Sequence, residues 1–301
     1  FGTSSLMVGD DATGTIDAAN YNTGLGVDVF AALTTADYTT AVGYSAGTAV
    51  TTGLYNTVVG AVALDATTTG AANVALGVSS LGANTTGSSN TALGTDTLTA
   101  NTTASNNTAV GNSALTANTT GESNTAVGAI ALDACTTGTQ NVAVGYNALS
   151  TSVAGNYQTA VGYQALANAN YTANVYAYNT AVGHNAGVAN TTGKVTAVGA
   201  AALTSNTTGI NNAAFGGATD AGGAALEANT TGSYNTAFGY SALRTSTTAG
   251  DNTAFGASAL SATTGAFNTG VGRQALEVCT TGTYNTALGY YAGRTMTTGG
   301  Y

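Results

Sequence analysis

The sequence predicts an all-β parallel solenoid, and three observations carry that prediction. A short motif ending in glycine recurs along the whole chain at a nearly constant spacing of 17 residues. The chain holds 42 Gly and no Pro, and only 6% of its residues are charged, whereas a soluble globular domain has about 25%. Its repeats are rich in β-branched residues and poor in strong helix formers. A unit this short is too small for a helical hairpin but fits one coil of a solenoid.

The repeat is measured on the glycine that closes the motif Thr-Ala-Val-Gly and its variants. Ten of these glycines follow in steps of 17, and seven more continue the series with two longer and two shorter steps. The series predicts about seventeen coils in a single repeat solenoid over residues 1–301, with irregular coils over 1–40 and regular coils over 41–301. The longer steps place insertions near 167–178 and 217–223. The marker glycines are Gly9, Gly26, Gly43, Gly60, Gly77, Gly94, Gly111, Gly128, Gly145, Gly162, Gly183, Gly199, Gly216, Gly239, Gly256, Gly272 and Gly289.

The consensus unit reads Asn-Thr-Ala-Val-Gly-Tyr-x-Ala-Leu-x-x-Asn-Thr-Thr-Gly-x-x, and its positions are numbered 1 to 17 below. Residues 107–123 follow it almost without change. Positions 2 to 4 predict a short strand, and positions 8 and 9 form a second apolar pair. The Asn-Thr-Thr-Gly segment predicts a corner, because Gly adopts positive φ freely and Asn side chains cap turns.

The two faces of the predicted strand differ in size. Side chains alternate across a strand, so position 4 points one way and positions 3 and 5 the other. Position 4 is Val, Leu or Phe, and we expect it to face the coil interior. Position 3 is mostly Ala and position 5 is Gly, so we expect a neighbouring chain to cover that face; solvent exposure on a monomer is the alternative. The predicted interface comprises Ala109, Ala126, Ala143 and Ala160.

The repeats resemble those of a known class of fibrous proteins. The run Asn124 to Gly128, the pair Ala131-Leu132 and the Asn-Thr-Thr-Gly corners look like repeats of long bacteriophage tail-fibre proteins. They are also similar to the head repeats of trimeric autotransporter adhesins. The resemblance covers nearly the whole chain. It implies a left-handed parallel β-roll, a homotrimeric assembly, and a location outside the cell or on the virion surface.

Catalytic chemistry has little support in the sequence. His184 is the one histidine, and it occupies position 6, where other repeats have Tyr, so we expect a surface variant within a column. No nucleophile motif surrounds it, and no Gly-Lys-Ser/Thr follows any glycine-rich turn. We therefore predict that the chain is not an enzyme and binds no cofactor.

A metal site and a disulfide are also not predicted. The acidic residues nearest the amino end suit calcium by type, but the repeats lack the signature of calcium-binding rolls, so a structural calcium ion is a minor alternative. Cys135 and Cys279 both occupy position 12, eight coils apart, which is too far for a disulfide. Those acidic residues are Asp10, Asp11, Asp17 and Asp28.

Six Asn-Thr-Thr corners also read as glycosylation sequons. We expect that the corner simply requires Asn, with glycosylation as the alternative. These residues are Asn84, Asn101, Asn118, Asn190, Asn206 and Asn229.

Charge and hydropathy exclude two kinds of partner. The net charge is −9, and the few basic residues form no patch, so nucleic acid is not a predicted partner. No apolar run approaches the roughly 20 residues that span a bilayer, so membrane insertion is not predicted. The basic residues are Lys194, Arg244, Arg273 and Arg294.

The sequence leaves three functions open. The favoured one is a structural fibre segment for surface attachment or host recognition, as a homo-oligomer (trimer or filament) with a cell-surface glycan or receptor as a further partner. The second is an extracellular filament whose subunits stack end to end, because the last residue, Tyr301, completes a repeat and no cap motif is visible. The third is ice binding through the Thr ladders at positions 13 and 14.

Specificity is expected where the repeat is interrupted, because insertions form loops and loops carry binding. The four-residue insertion within 167–178 combines tyrosines with asparagines, a mixture common in recognition surfaces. Tolerated bulges without function are the alternative. The predicted contact residues are Asn168, Asn170, Tyr171, Asn174, Tyr176 and Tyr178.

Overall fold

A computed structural model describes residues 6–8, 18–218 and 222–299 of the chain. The chain forms two compact units, Phe1–Asn147 and Ala148–Tyr301. The described residues contain short strands joined by turns and no helix. None of these segments is therefore a helix that could cross a membrane.

The described residues of the first unit form nine parallel strands. Each strand pairs with the one a repeat further on, so that Thr108 lies beside Thr125 and Val110 beside Val127. Because the offset is 17 residues, equal positions of successive coils form columns along the unit. The strands are β1 (Leu6–Val8), β2 (Thr23–Leu25), β3 (Thr40–Val42), β4 (Thr57–Val59), β5 (Val74–Leu76), β6 (Thr91–Leu93), β7 (Thr108–Val110), β8 (Thr125–Val127) and β9 (Val142–Val144).

The second unit repeats this architecture around two insertions. Eight of its strands pair in parallel in chain order, and β10 and β12 form a separate parallel pair. The columns keep their register across both insertions, since Val161 pairs with Val182 and Phe215 with Phe238. The strands are β10 (Gly155–Asn156), β11 (Thr159–Val161), β12 (Val175–Tyr176), β13 (Thr180–Val182), β14 (Val195–Val198), β15 (Asn212–Phe215), β16 (Thr236–Phe238), β17 (Thr253–Phe255), β18 (Thr269–Val271) and β19 (Thr286–Leu288).

The predicted parallel β-solenoid is confirmed in both units. Position 4 residues stack as expected, with Val127 on Val144 in the first unit and Val161 on Val182 in the second. Left-handedness and the behaviour of residues 1–301 as a single domain stay predictions.

The assignment of the two strand faces from the sequence is wrong. From Ala41 to Ala254, the position 3 side chains point into the coil and have no exposed surface, although position 3 was expected to form a lateral interface; Ala287 in the last strand is partly exposed. Position 4, expected inside, faces outward: Leu76 is 50% and Phe255 is 53% exposed. The interior also holds Asn from positions 1 and 12 and Leu from position 9, so the space beside the strand is small and takes Ala in most coils and Val58 in one. The four residues predicted as the interface are therefore part of the interior: Ala109, Ala126, Ala143 and Ala160 are all 0% exposed.

A ladder of asparagines at position 1 ties each coil to itself and to the next. The Asn107 side-chain amide donates to the carbonyl of Gly121 across the same coil at 2.9 Å. Its Oδ1 accepts the backbone N–H of Asn124 in the following coil, also at 2.9 Å. One buried side chain therefore closes its own corner and fixes the spacing to its neighbour.

A second ladder runs through position 12. The Asn101 amide donates to Asn84 Oδ1 at 2.8 Å, and the Asn118 amide donates to Asn101 Oδ1 at 3.0 Å. These are sequon asparagines, and their side chains are buried and bonded inside the coil, as are those of Asn190, Asn206 and Asn229. The need of the corner for Asn accounts for the sequons.

Tight turns between these columns need left-handed backbone. Positions 7, 9 and 17 adopt it in almost every coil, as in Ser113 (φ 55°), Leu115 (φ 51°) and Ser123 (φ 58°). Each such residue costs about 1–2 kcal/mol, so hydrogen bonds between coils must outweigh the strain. Position 5 is stricter: Gly111 has φ 126°, and a Cβ there would lie 2.6 Å from the carbonyl carbon of Gly128.

The Thr ladder at position 13 is part of the stacking. Thr102 Oγ1 donates to the Thr119 carbonyl at 3.2 Å, and Thr119 Oγ1 donates to the Thr136 carbonyl at 3.0 Å. The hydroxyl protons of this column are therefore directed at backbone, whereas the following Thr120 is exposed.

Some predicted features fall outside the described residues. These are Asp10, Asp11 and Asp17 of the calcium alternative, positions 219–221 of the second insertion, and Tyr301.

A candidate recognition site at the first insertion

The first insertion is held by a buried tyrosine. Tyr171 is 7% exposed; its hydroxyl donates to the carbonyl of Gly193 at 2.7 Å and accepts from the Asn179 amide at 2.8 Å. Burial raises the pKa of Tyr171, so the hydroxyl keeps its proton and remains a donor. Position 12 of this coil is Ala169, which continues no amide ladder, and the tyrosine hydroxyl bonds the position 1 and position 15 groups instead. Tyr171 therefore positions the loop, and it also lines the pocket described below, so its direct contact with a partner stays a prediction.

The loop is fixed at both ends to the preceding coil. Val175 and Tyr176 form the short parallel pairing with Gly155 and Asn156. At the start of the loop, the Ala154 N–H donates to the Tyr171 carbonyl at 2.7 Å. These bonds hold the insertion against the solenoid, so its exposed side chains have defined places.

Three tyrosines cluster on the outside of this loop. The ring centroids of Tyr157 and Tyr178 are 5.5 Å apart and nearly parallel, and Tyr176 lies 5.5 Å from Tyr157 and 5.8 Å from Tyr178. Tyr176 is 60% exposed and Tyr178 is 58% exposed. The cluster presents aromatic faces to solvent in a rigid arrangement.

An open pocket of about 650 Å³ lies beside the cluster. Its wall combines two asparagine amides, two threonine hydroxyls, two tyrosine side chains and one ammonium group. A second pocket of about 410 Å³ lies on the other side of Lys194, next to Tyr178. The first pocket is lined by Asn170, Tyr171, Thr172, Ala173, Asn174, Val175, Tyr176, Thr192 and Lys194.

Lys194 gives the site a rare positive charge. The chain has 4 Lys and Arg against 13 Asp and Glu, and Lys194 is exposed between the two pockets. Among residues 6–8, 18–218 and 222–299, the one ion pair joins Arg294 to Glu277. No carboxylate of these residues therefore pairs with Lys194. The site therefore offers hydrogen-bonding groups, an aromatic surface and a cation together.

The structure brings most of the predicted contact residues together. Asn170, Asn174 and Tyr176 line the first pocket, and Tyr178 lines the second. Asn168 is exposed, but it lines neither pocket. Sequence reasoning missed Lys194 and Tyr157, which come from neighbouring coils; the signal for Lys194 was its place as the single lysine, at the end of a shortened repeat.

The second insertion forms a plainer surface. The Gly223 N–H donates to Glu227 Oε2 at 2.9 Å, and a pocket of about 400 Å³ lies between Glu227 and Arg244. No aromatic side chain lines this pocket. Glu227 and Arg244 carry opposite charges at its wall, so this pocket has less net charge to attract a charged ligand than the pocket at the first insertion.

The remaining reactive side chains lie apart from one another. Among the residues that the structure describes, no three His, Cys, Asp or Glu side chains are grouped to hold a metal ion. Cys135 and Cys279 are both free and buried. His184 is exposed and stacks on the Tyr163 ring at 5.2 Å, as expected for a variant within the position 6 column.

Comparison with known proteins adds no family: no family model, curated protein or solved structure matches this chain.

Proposed function

We propose that the chain is a non-enzymatic structural segment of a fibre outside a cell or on a virion, which attaches through the first insertion to an oligosaccharide bearing a carboxylate. The observation that carries the proposal is the combination at one pocket of the Tyr176 ring, paired amides and the unneutralised Lys194 ammonium. The surrounding coils repeat one pattern and supply a scaffold. Binding is then confined to the place where the repeat is broken.

The chemistry of the pocket matches a charged sugar. The apolar C–H face of a pyranose packs on an exposed aromatic ring, and its hydroxyls exchange hydrogen bonds with Asn and Thr side chains. A pocket of about 650 Å³ lies within the usual range for small-ligand sites, roughly 300–1,000 Å³. The carboxylate would pair with Lys194, and in a chain of net charge −9 this local cation decides which anions approach.

The test is direct binding of matched saccharides to the full chain. We expect sialylated or uronate-containing oligosaccharides to bind and their neutral counterparts to bind more weakly, with the difference shrinking as salt screens the charge. Lys194→Gln should remove this preference. Tyr176→Ala should weaken binding by roughly tenfold, the equivalent of about 1.4 kcal/mol, whereas Tyr176→Phe should not, because the ring face is kept.

Tyr44→Ala is the matched control, since Tyr44 is 58% exposed in the first unit, far in sequence from the insertion. Equal loss of binding in Tyr44→Ala and Tyr176→Ala would contradict the proposed site. Binding of neutral and charged saccharides with equal affinity would contradict the role of Lys194.

Ice binding has weaker support. The position 13 hydroxyls, such as that of Thr119, donate to backbone carbonyls of the next coil and are not free to order water. Of positions 13 and 14, it is position 14 that presents an exposed Thr column, as at Thr120. We therefore propose attachment and leave the Thr ladders a structural role.

A further inference from the structure

In each unit, the outward side of the main strands forms an uncharged face, with an apolar column at position 4 beside a column that is mostly Thr at position 2. We call this the strand outer face: positions 2 and 4 of every coil from Thr23 onward. Position 2 is Thr, Val or Ala, and position 4 is Val, Leu or Phe, with no charged residue in either column. Several side chains are strongly exposed, including Leu25 at 51%, Leu76 at 50% and Leu288 at 79%. Contiguous apolar surface of this kind marks an interaction site.

An aromatic stack forms the most apolar part of this face in the second unit. The ring centroids of Phe215 and Phe238 are 5.6 Å apart, and those of Phe238 and Phe255 are 4.8 Å apart with near-parallel planes. Phe238 is 47% and Phe255 is 53% exposed. Large exposed aromatics at the centre of an uncharged patch are typical of the residues that dominate binding energy in protein interfaces.

The regularity of the face identifies its occupant. Its columns repeat at the spacing of neighbouring strands, about 4.8 Å, so a partner fits along its length only if its own side chains repeat at that distance. The face of a second copy has that repeat and the same mixture of Val, Leu, Phe and Thr, which interdigitate well between paired sheets. It also lacks charge, so two copies meet there without like-charge repulsion despite the net charge of −9.

The size of the face sets the extent of the contact. Eight strands spaced about 4.8 Å apart and about 10 Å long give each unit a face of roughly 380 Å². A stable interface buries about 800 Å² per partner, so the strand face of one unit supplies about half of that area, and we expect association to depend on concentration.

We propose that the strand outer face is a self-association surface, on which a second copy of this chain packs face to face through positions 2 and 4. This surface replaces the alanine face that the sequence suggested. It shares no residue with the 650 Å³ pocket proposed for the saccharide and does not depend on ligand binding, although Thr196 and Ala213 also line the second pocket beside Lys194.

The test measures the molar mass of the full chain by sedimentation over a wide concentration range. We expect the wild-type chain to form a dimer or larger assembly and the double variant Phe238→Glu with Phe255→Glu to remain monomeric, since each interface would then bury unpaired charge. Tyr234→Glu is the matched control, because Tyr234 is 56% exposed at position 17, on another column. Circular dichroism and thermal melting establish that each variant is folded.

A second pair of variants separates association from folding. Phe238→Thr with Phe255→Thr removes the rings without adding charge and should weaken association while leaving a residue type common in strands. A wild-type chain that stays monomeric at all concentrations would overturn the proposal, even if the face binds another molecule. So would folded glutamate variants that associate as the wild type does, or a Tyr234→Glu variant that disperses equally.

Discussion

In the second unit the position 12 ladder of Asn190, Asn206 and Asn229 ends at Ser246, and extending it should stabilise the fold. The Asn206 amide donates to Asn190 Oδ1 at 2.9 Å, and the Asn229 amide donates to Asn206 Oδ1 at 2.7 Å. The next coils carry Ser246 and Thr263 at this position, both fully buried. Asn229 Oδ1, Ser246 Oγ and Thr263 Oγ1 have no hydrogen-bond partner, because the serine side chain is too short to bridge the coils.

Ser246→Asn should restore the ladder. Its amide would donate to Asn229 Oδ1 and to the carbonyl of Ala249, and its Oδ1 would come within reach of the Thr263 hydroxyl. Asn101 is the precedent, since it bonds both the preceding ladder oxygen and the carbonyl of Ala104, an alanine at the same position as Ala249.

The expected gain follows from the unsatisfied groups. An unpaired buried polar atom costs about 1–3 kcal/mol. Pairing it removes this cost, but the conformational entropy lost in ordering the longer Asn side chain offsets part of the gain. We therefore expect Ser246→Asn to raise the free energy of unfolding by about 1–2 kcal/mol, which is a few degrees in melting temperature for a unit of this size.

Urea and thermal unfolding would be measured for wild type, Ser246→Asn, Ser246→Ala and Ser261→Asn. Ser246→Ala removes an unsatisfied hydroxyl but leaves Asn229 Oδ1 unpaired, so it should lie near wild type. Ser261→Asn makes the same chemical change at a half-exposed position and should have little effect. If Ser246→Asn proves no more stable than Ser246→Ala, the ladder argument fails.

Three further predictions concern the first unit. Gly128→Ala should destabilise the fold by roughly 3 kcal/mol or more, because its Cβ would lie 2.5 Å from the Gly145 carbonyl oxygen at φ 136°. The control, Ala129→Ser, should be tolerated. Similar melting temperatures for the two variants would refute this. Ala126→Glu should unfold the unit by burying an unpaired charge, while Val127→Glu on the outer face should leave it folded; a stable Ala126→Glu variant would contradict the interior assignment. Burial raises the pKa of the Cys135 thiol from 9.0 to about 11, so the unfolded state loses this proton first and stability should fall by about 3 kcal/mol between pH 9 and 11. Subtracting the pH profile of Cys135→Ala isolates the thiol from the tyrosines, and coincident profiles would argue against its burial.

The repeat period and the corners could be predicted from the sequence, but which face of the strand points into the coil could not. Alternation separates positions 3 and 4 onto two faces without saying which is inside, and the bulkier residue was assigned to the core. The better signal was variability: position 4 changes between Val110, Leu93 and Phe238, which an interior of fixed volume does not tolerate, whereas position 3 is Ala or Gly in 15 of the 17 repeats. The interior is instead filled by amide ladders, which turn chemistry alone did not reveal.

Only part of the candidate site could be predicted, because the stacking of coils decides which residues meet there. Sequence reasoning found the loop because an insertion interrupts the repeat, and Asn170, Asn174 and Tyr176 lie there together. Tyr157 and Lys194 come from coils before and after it, and only the stacking of coils brings them beside the loop. Tyr171 looked like its neighbouring tyrosines, but its hydroxyl is bonded within the interior.

Thiol labelling tests the central claim, a solenoid with position 3 inside and position 4 outside. Ala126→Cys and Val127→Cys would be treated with a maleimide at a dilution where the chain is monomeric, with buried Cys135 and Cys279 as internal references. The account predicts that Val127→Cys reacts in the folded chain and that Ala126→Cys reacts only on unfolding, together with the native cysteines. Rapid labelling of a folded Ala126→Cys variant, with Val127→Cys protected, would contradict it.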